Sequence, residues 1–134
     1  MAALASPLPA AAAPDRDEDA VVIRAIARAF ALWKLTNQES AALFDVPLAT
    51  WNRMKAGAFK GRLDRDKTMR ASLILGIFKG LRLYFDGPLT YGWPKGDNGH
   101  ALFAGRSPLR FMIEGGIPAM LSTRRYIDGL RGGL

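Results

Sequence analysis

From Ala20 onward the apolar positions follow a helical beat. Val22, Ile26, Phe30 and Trp33 recur at intervals of three or four and predict a first helix with Asp19 as its N-cap. Two short helical segments fit Gln38–Phe44 and Leu48–Lys55, separated by the break Asp45-Val46-Pro47. A longer periodic run, Lys67–Phe85, puts Ile74, Ile77, Phe78, Leu81 and Phe85 on one stripe, with Asp64 or Asp66 available as its cap; this run is expected to be the central helix. Beyond Asp86-Gly87, Pro88–Trp93 fits a helical turn and residues 94–99 fit a loop. Ser107-Pro108 reads as an N-cap followed by proline at the first helical position, Gly115-Gly116 ends that helix, and Pro118 opens a last one. No segment alternates with a period of two, and no internal repeat is visible. The pattern predicts an all-α fold.

Composition narrows the chemistry. The chain has 134 residues, enough for one modest core, and 49% are hydrophobic, too apolar for a disordered chain. It has no cysteine and one histidine, His100, which excludes disulfides, thiolate metal sites and histidine pairs. His100 stands in a Gly/Asn loop without a nucleophile beside it, and Asp64 and Asp66 are better placed to cap a helix than to share acid–base work. Glycines 57, 61, 76 and 80 fit no phosphate-binding motif. The reading is of a non-enzyme with no cofactor and no metal.

Charge is unevenly distributed. The net is +7, but residues 1–19 carry −3, leaving +10 on the remainder. Such a basic body attracts nucleic acid or an acidic protein. Residues 1–19, Ala/Pro-rich and then acidic, are expected to form a flexible leader. They lack the basic flank of a signal peptide, and no run is long enough to cross a membrane, so a cytoplasmic location is expected.

The middle of the chain, Leu35–Gly57, has the layout of a helix-turn-helix. Ala41 is small where two helices cross, Leu43 and Val46 fill the space under the turn, and Trp51 and Met54 anchor the second helix. Its register resembles that of Xre/Cro-type repressors, which implies that the helix starting near Leu48 enters the major groove with Thr50, Asn52, Arg53 and Lys55 facing DNA and Gln38 at the start of the preceding helix. A helical pair used only for packing or dimerisation would carry the same pattern. Pro47, Leu48 and Ala49 stand where side chains normally reach base edges, and none can make a bidentate contact. Arg53, Lys55, Lys60, Arg62, Arg65, Lys67 and Arg70 instead suit phosphate contacts.

The last third narrows the family. Leu102-Phe103-Ala104-Gly105-Arg106-Ser107-Pro108-Leu109, Glu114-Gly115-Gly116 and Arg124–Gly133, in that order, resemble the toxin-binding domain of Xre/MbcA/ParS antitoxins, and Trp51–Gly57, Gly61–Asp66 and Arg70–Ile77 resemble the ParS-like branch. The resemblance covers about residues 20–134; it departs at Arg110, where many relatives are acidic, and at Leu134, where some end in an aromatic. It implies three segments: a leader at 1–19, a helix-turn-helix domain at 20–85, and a small α-helical toxin-binding domain at 86–134. It further implies the antitoxin of a type II toxin–antitoxin pair. Its partner would be a RES-domain, ADP-ribosyltransferase-like toxin that consumes NAD, neutralised by covering its active site. An antitoxin homodimer would form a heterotetramer or larger complex with toxin and bind operator DNA. The toxin-binding residues implied are Gly105, Arg106, Ser107, Arg124, Arg125, Tyr126, Asp128, Arg131, Gly132, Gly133 and Leu134; the DNA-binding ones are Gln38, Thr50, Asn52, Arg53, Lys55, Lys60, Arg62 and Arg65. On composition, the arginines around Tyr126 suit an interface, with one of them expected to satisfy Asp128 or Glu114. Phe103, Leu109, Met112, Ile117, Met120 and Leu134 are candidates for an exposed apolar surface or for core. A stand-alone helix-turn-helix repressor is the alternative.

Overall fold

The computed structural model describes residues 16–132, and the described residues are all-helical. Six helices follow one another: α1 (Arg16–Leu32), α2 (Asn37–Phe44), α3 (Leu48–Lys55), α4 (Arg65–Tyr84), α5 (Leu89–Gly92) and α6 (Pro108–Arg131), with 3₁₀ turns at Trp93–Lys95 and Ala101–Phe103. Most of the leader and the last two residues, Gly133 and Leu134, lie outside the described residues.

The first helix starts earlier than its apolar beat suggests. Asp19 lies inside α1 and is no cap; its carboxylate, almost wholly buried, accepts from Arg62 Nε at 2.8 Å and from the Leu63 backbone N–H at 3.1 Å. A contact across more than forty residues, invisible to local pattern, has drawn the acid inward. Ile23, Ile26 and Phe30 of α1 and Trp33 just after it are buried, while Val22 packs at the margin.

Three successive helices close in the same way, on a residue in the left-handed conformation. Lys34 (φ 60°), Asp45 (φ 59°) and Gly57 (φ 77°) end α1, α2 and α3, and each time the following N–H reaches five residues back: Leu35 to Phe30, Val46 to Ala41, Ala58 to Arg53. Only the third is a glycine. At the front of α2, Thr36 Oγ1 accepts the Glu39 N–H at 3.0 Å while Glu39 Oε1 accepts the Thr36 N–H at 2.8 Å, a reciprocal capping box.

Helix α4 is the central element. Asp64 caps it, accepting the Lys67 N–H at 2.9 Å, and Ile74, Ile77 and Leu81 are fully buried as their spacing predicts. Helix α6 lies along it in the same direction: Gly116 neighbours Arg70, the Arg124 guanidinium rests on Gly76, and Ile127 and the Arg131 stem rest on Gly80. A Cβ at Gly80 would stand 2.6 Å from Ile127 Cγ2, so the missing side chains of Gly76 and Gly80 set how closely the two helices approach.

Helix α6 is two helical segments joined at Gly116, whose φ of 68° and ψ of −150° are open to glycine almost alone. Ser107 caps the first segment and Pro118 begins the second, as the sequence predicts. Its inner face carries Tyr126 into an aromatic cluster: the ring stacks on Trp93 at 6.2 Å and meets Phe103 at 5.6 Å and His100 at 4.6 Å. Phe103, Leu109, Met112 and Met120 are core, and Ile117 is half-buried, so these residues do not form an exposed apolar surface. Leu134 lies outside the described residues.

Candidate nucleic-acid and partner surfaces

The helix pair α2–α3 is rigidly mounted. Trp51 and Met54 of α3 are buried, and the Trp51 ring sits 5.3 Å from Phe30 of α1. The rest of α3 faces outward. Asn52, Arg53 and Lys55 are exposed and Thr50 is half-buried; Arg53 donates to Thr50 Oγ1 at 3.2 Å, and Lys55 Nζ donates to Asn37 Oδ1 at 3.1 Å. Gln38 is exposed on the first turn of α2. The front of α3 is apolar and uncapped: Pro47, Leu48 and Ala49 are exposed, and Pro47 supplies no side-chain acceptor.

The cations after α3 divide into two groups. Lys60 and Arg65 are exposed and have no acidic partner among the described residues. Arg62 is committed to Asp19, while Lys67 and Arg70 both pair with Asp66, at 2.8 and 2.9 Å, and are largely buried. Arg70 also donates to the Leu43 carbonyl at 3.1 Å, beneath the turn between α2 and α3. The expected row of seven phosphate-binding charges is therefore shortened, because Lys67 and Arg70 knit the fold. Hydrogen bonds from Lys67 and Arg70 hold the Asp66 carboxyl below the usual carboxylate range despite its partial burial. For Asp19, burial pushes upward but Arg62 and the Leu63 N–H together win, and the carboxyl stays low.

The expected toxin-binding residues are spread from the turn before α6 to its far end rather than gathered. Ala104 and Gly105, both left-handed, turn the chain into Ser107, and Arg106 donates to the Phe103 carbonyl and pairs with Glu114, which Arg110 also holds at 2.9 Å. The two guanidiniums keep the Glu114 carboxyl low. An open cleft of about 480 Å³ lies here, bounded by Glu39, Lys95, Ser107, Leu109, Arg110, Ile113 and Glu114. Lys95 Nζ crosses to the helix-turn-helix, donating to the Lys34 carbonyl and to Glu39 Oε1, both at 3.0 Å. Burial raises the Glu39 carboxyl, and the Thr36 N–H with Lys95 brings it down below its ordinary value.

Arg124, Asp128 and Arg131 stand at the other end of α6, on its outer flank beside α4. Arg125 and Gly132 are exposed there. Tyr126 is turned away from this flank into the aromatic cluster, so the arginines do not surround it. Sequence reasoning also missed the seat of Arg124 on Gly76; the Gly76-to-Gly80 spacing is the signal that a close helix crossing leaves.

The helix pair, its turn and the start of α4 coincide with a known domain. Residues 12–76 match the antitoxin Xre-like helix-turn-helix domain. None of the curated proteins compared matches the chain. The Xre-like domain as matched runs from the segment before α1 to the middle of α4, ending at Gly76, where α6 makes contact. The match supports an Xre-type antitoxin or a helix-turn-helix repressor, regulatory roles that pair DNA binding with, for an antitoxin, a toxin partner. No helix among the described residues is long and apolar enough to cross a membrane.

Proposed function

We propose that this protein is the antitoxin of a type II toxin–antitoxin pair, that it binds and neutralises a RES-domain, NAD-consuming toxin by covering its active site, and that it represses its own operon through the helix-turn-helix. The observation that carries the reading is the Xre-like antitoxin domain at residues 12–76, followed by a second, arginine-rich helical surface on α6 beyond the matched residues. The choice of a RES-domain partner rests on the motif order across residues 102–133, which resembles ParS-like antitoxins. In this reading the protein is no enzyme, holds no cofactor, works in the cytoplasm, and forms a homodimer flanked by toxin. Residues 86–134 serve as the toxin-binding part. Of them, Gly105, Arg106 and Ser107 act at the start of α6, and Arg124, Arg125, Asp128 and Arg131 with the terminal Gly132, Gly133 and Leu134 act at its end. Tyr126 contributes by fixing α6 on the core.

DNA contact is assigned to Gln38, Thr50, Asn52, Arg53, Lys55, Lys60 and Arg65, with Arg62 holding the basic loop in place. Apolar residues at the front of α3 favour phosphate positioning over base reading, so operator choice rests on few contacts.

The test is NAD turnover by the RES-domain protein encoded beside this chain, measured against increasing amounts of the chain. Stoichiometric loss of turnover is expected, and deletion of residues 131–134 is expected to abolish protection without unfolding the protein. Unchanged turnover with a folded protein, together with salt-sensitive binding to upstream DNA, would place the stand-alone repressor reading ahead; the exposed Arg53, Lys55, Lys60 and Arg65 are what favour it.

A further inference from the structure

The outer flank of α6 is short of carboxylate. From Ala71 to Tyr84 helix α4 contains no acidic residue, and from Gly115 to Arg131 helix α6 contains one, Asp128, against three cations on α6 itself, Arg124, Arg125 and Arg131. Asp128 is divided between two of them. Its Oδ1 accepts from Arg131 Nη1 at 3.1 Å, while its Oδ2 stands 3.6 Å from Arg124 Nε, beyond a hydrogen bond. Arg124 Nε is buried and has no hydrogen-bond acceptor among the described residues. A guanidinium carries five donors in a rigid fork suited to a carboxylate, and neither arginine is filled.

Both arginines nevertheless pack on α4. The Arg124 guanidinium rests on the bare backbone at Gly76, and the Arg131 stem lies on Gly80, so packing favours these positions while leaving both guanidiniums reachable from solvent. One turn beyond Gly80, the glycine on which the Arg131 stem lies, Leu83 and Tyr84 are 59% and 43% exposed, the Tyr84 ring meeting Phe85 edge-on at 4.8 Å.

We propose that Arg124 and Arg131, with Leu83 and Tyr84, form a docking surface for a protein partner that presents a carboxylate side chain beside an apolar one, and that Asp128 occupies the place of that carboxylate until the partner displaces it. This rests on the antitoxin reading and names the chemistry of its partner. Charge complementarity selects the occupant: the flank is cationic, its one acid is internal, and the apolar neighbours suit protein better than a phosphate backbone.

The proposal makes two neighbouring substitutions act in opposite directions. Binding of the purified RES-domain protein encoded beside this chain is measured by calorimetry at about 0.15 M salt, where surface charges still interact. Arg131→Ala is expected to weaken binding about tenfold, the loss of one charge-assisted contact, and Asp128→Ala to tighten it several-fold by releasing both guanidiniums. The gain from Asp128→Ala is expected to vanish at about 0.5 M salt. Circular dichroism and melting of both variants, whose side chains are exposed, separate unfolding from lost contact. Weakening by Asp128→Ala overturns the proposal, since the acid would then be a lock and not a placeholder; so does wild-type affinity in every variant.

A second measurement needs no toxin. The Nε–Hε signals of Arg124 and Arg131 are followed by NMR as a tetraglutamate peptide is added, with a duplex DNA as comparison. If the RES-domain protein fails to bind but the peptide shifts both signals, and more so in Asp128→Ala, the surface stands and the choice of toxin falls. No shift with peptide, or a stronger response to duplex than to peptide, overturns the surface itself.

Discussion

Substituting the two glycines that face α6 separates a tight helix crossing from a forgiving one. Either change to alanine removes a glycine from a helix interior, which by propensity stabilises by about 1 kcal/mol. At Gly80 the new methyl would stand 2.6 Å from Ile127 Cγ2, on a fully buried, β-branched side chain with one favoured rotamer in a helix. Overpacking of that kind costs about 1–3 kcal/mol, so after the propensity gain Gly80→Ala is expected to be destabilising by roughly 0–2 kcal/mol, about 1 at the midpoint. At Gly76 the methyl would meet the Arg124 guanidinium, the far end of a flexible, half-exposed side chain that can swing outward. The exposed Arg124–Asp128 pair contributes about 0–1 kcal/mol, so Gly76→Ala is expected to be neutral or up to about 1 kcal/mol more stable. The midpoints differ by about 1.5 kcal/mol, and at roughly 3–6 °C per kcal/mol for a domain of this size the two variants should melt about 5–9 °C apart, Gly80→Ala lower. Thermal melts and urea midpoints on both proteins provide the check. Equal destabilisation would show that Arg124 is wedged as firmly as Ile127, and stabilisation of both would show that α4 and α6 do not meet at the spacing described.

Three further outcomes follow from named contacts. Asp19→Asn should cost about 1.5–3 kcal/mol by breaking charge-assisted hydrogen bonds to a buried carboxylate, half-exposed Arg62 limiting the loss; because the folded Asp19 carboxyl is held low, its contribution is present above the unfolded value near pH 4 and lost as pH falls through the folded one, so the gap to wild type should shrink in urea titrations below about pH 4. Thr36→Ala, which removes the capping box of α2, should lower stability by about 1 kcal/mol with little change in the urea m-value. Replacing Lys60 and Arg65 together by alanine should weaken binding to operator DNA evenly across sequences and reduce the slope of log K against log salt by about 2, whereas Lys67→Ala, whose charge is taken by Asp66, should leave that slope unchanged.

Local pattern carried most of the fold. The ends of α3, the cap and buried stripe of α4, the Ser107-Pro108 start of α6 and the interruption at Gly116 all follow from side-chain type at short range, where propensity and capping decide. What escaped was set at long range or by backbone conformation. Asp19 looks like a cap until the loop at Arg62 closes over it, and Lys34 and Asp45 carry no sign that they adopt the left-handed form. At the surfaces, the number of cations was legible but their engagement was not: Lys67 and Arg70 are spent on Asp66, and Tyr126, which reads as an interface residue among arginines, packs against Trp93 and Phe103.

The course of α6 beside α4 affects when the molecule can close. The ribosome releases the helix-turn-helix well before residues 108–131, so Glu39 waits until Lys95 emerges, and the strip of α4 at Gly76 and Gly80 waits uncovered until α6 follows. A chain cut after Phe85 stays in that unfinished state permanently. Lesions near the C-terminus thus reach back into the half that carries the helix-turn-helix: a premature stop exposes an apolar seam to proteases and to other nascent chains as well as removing a partner surface.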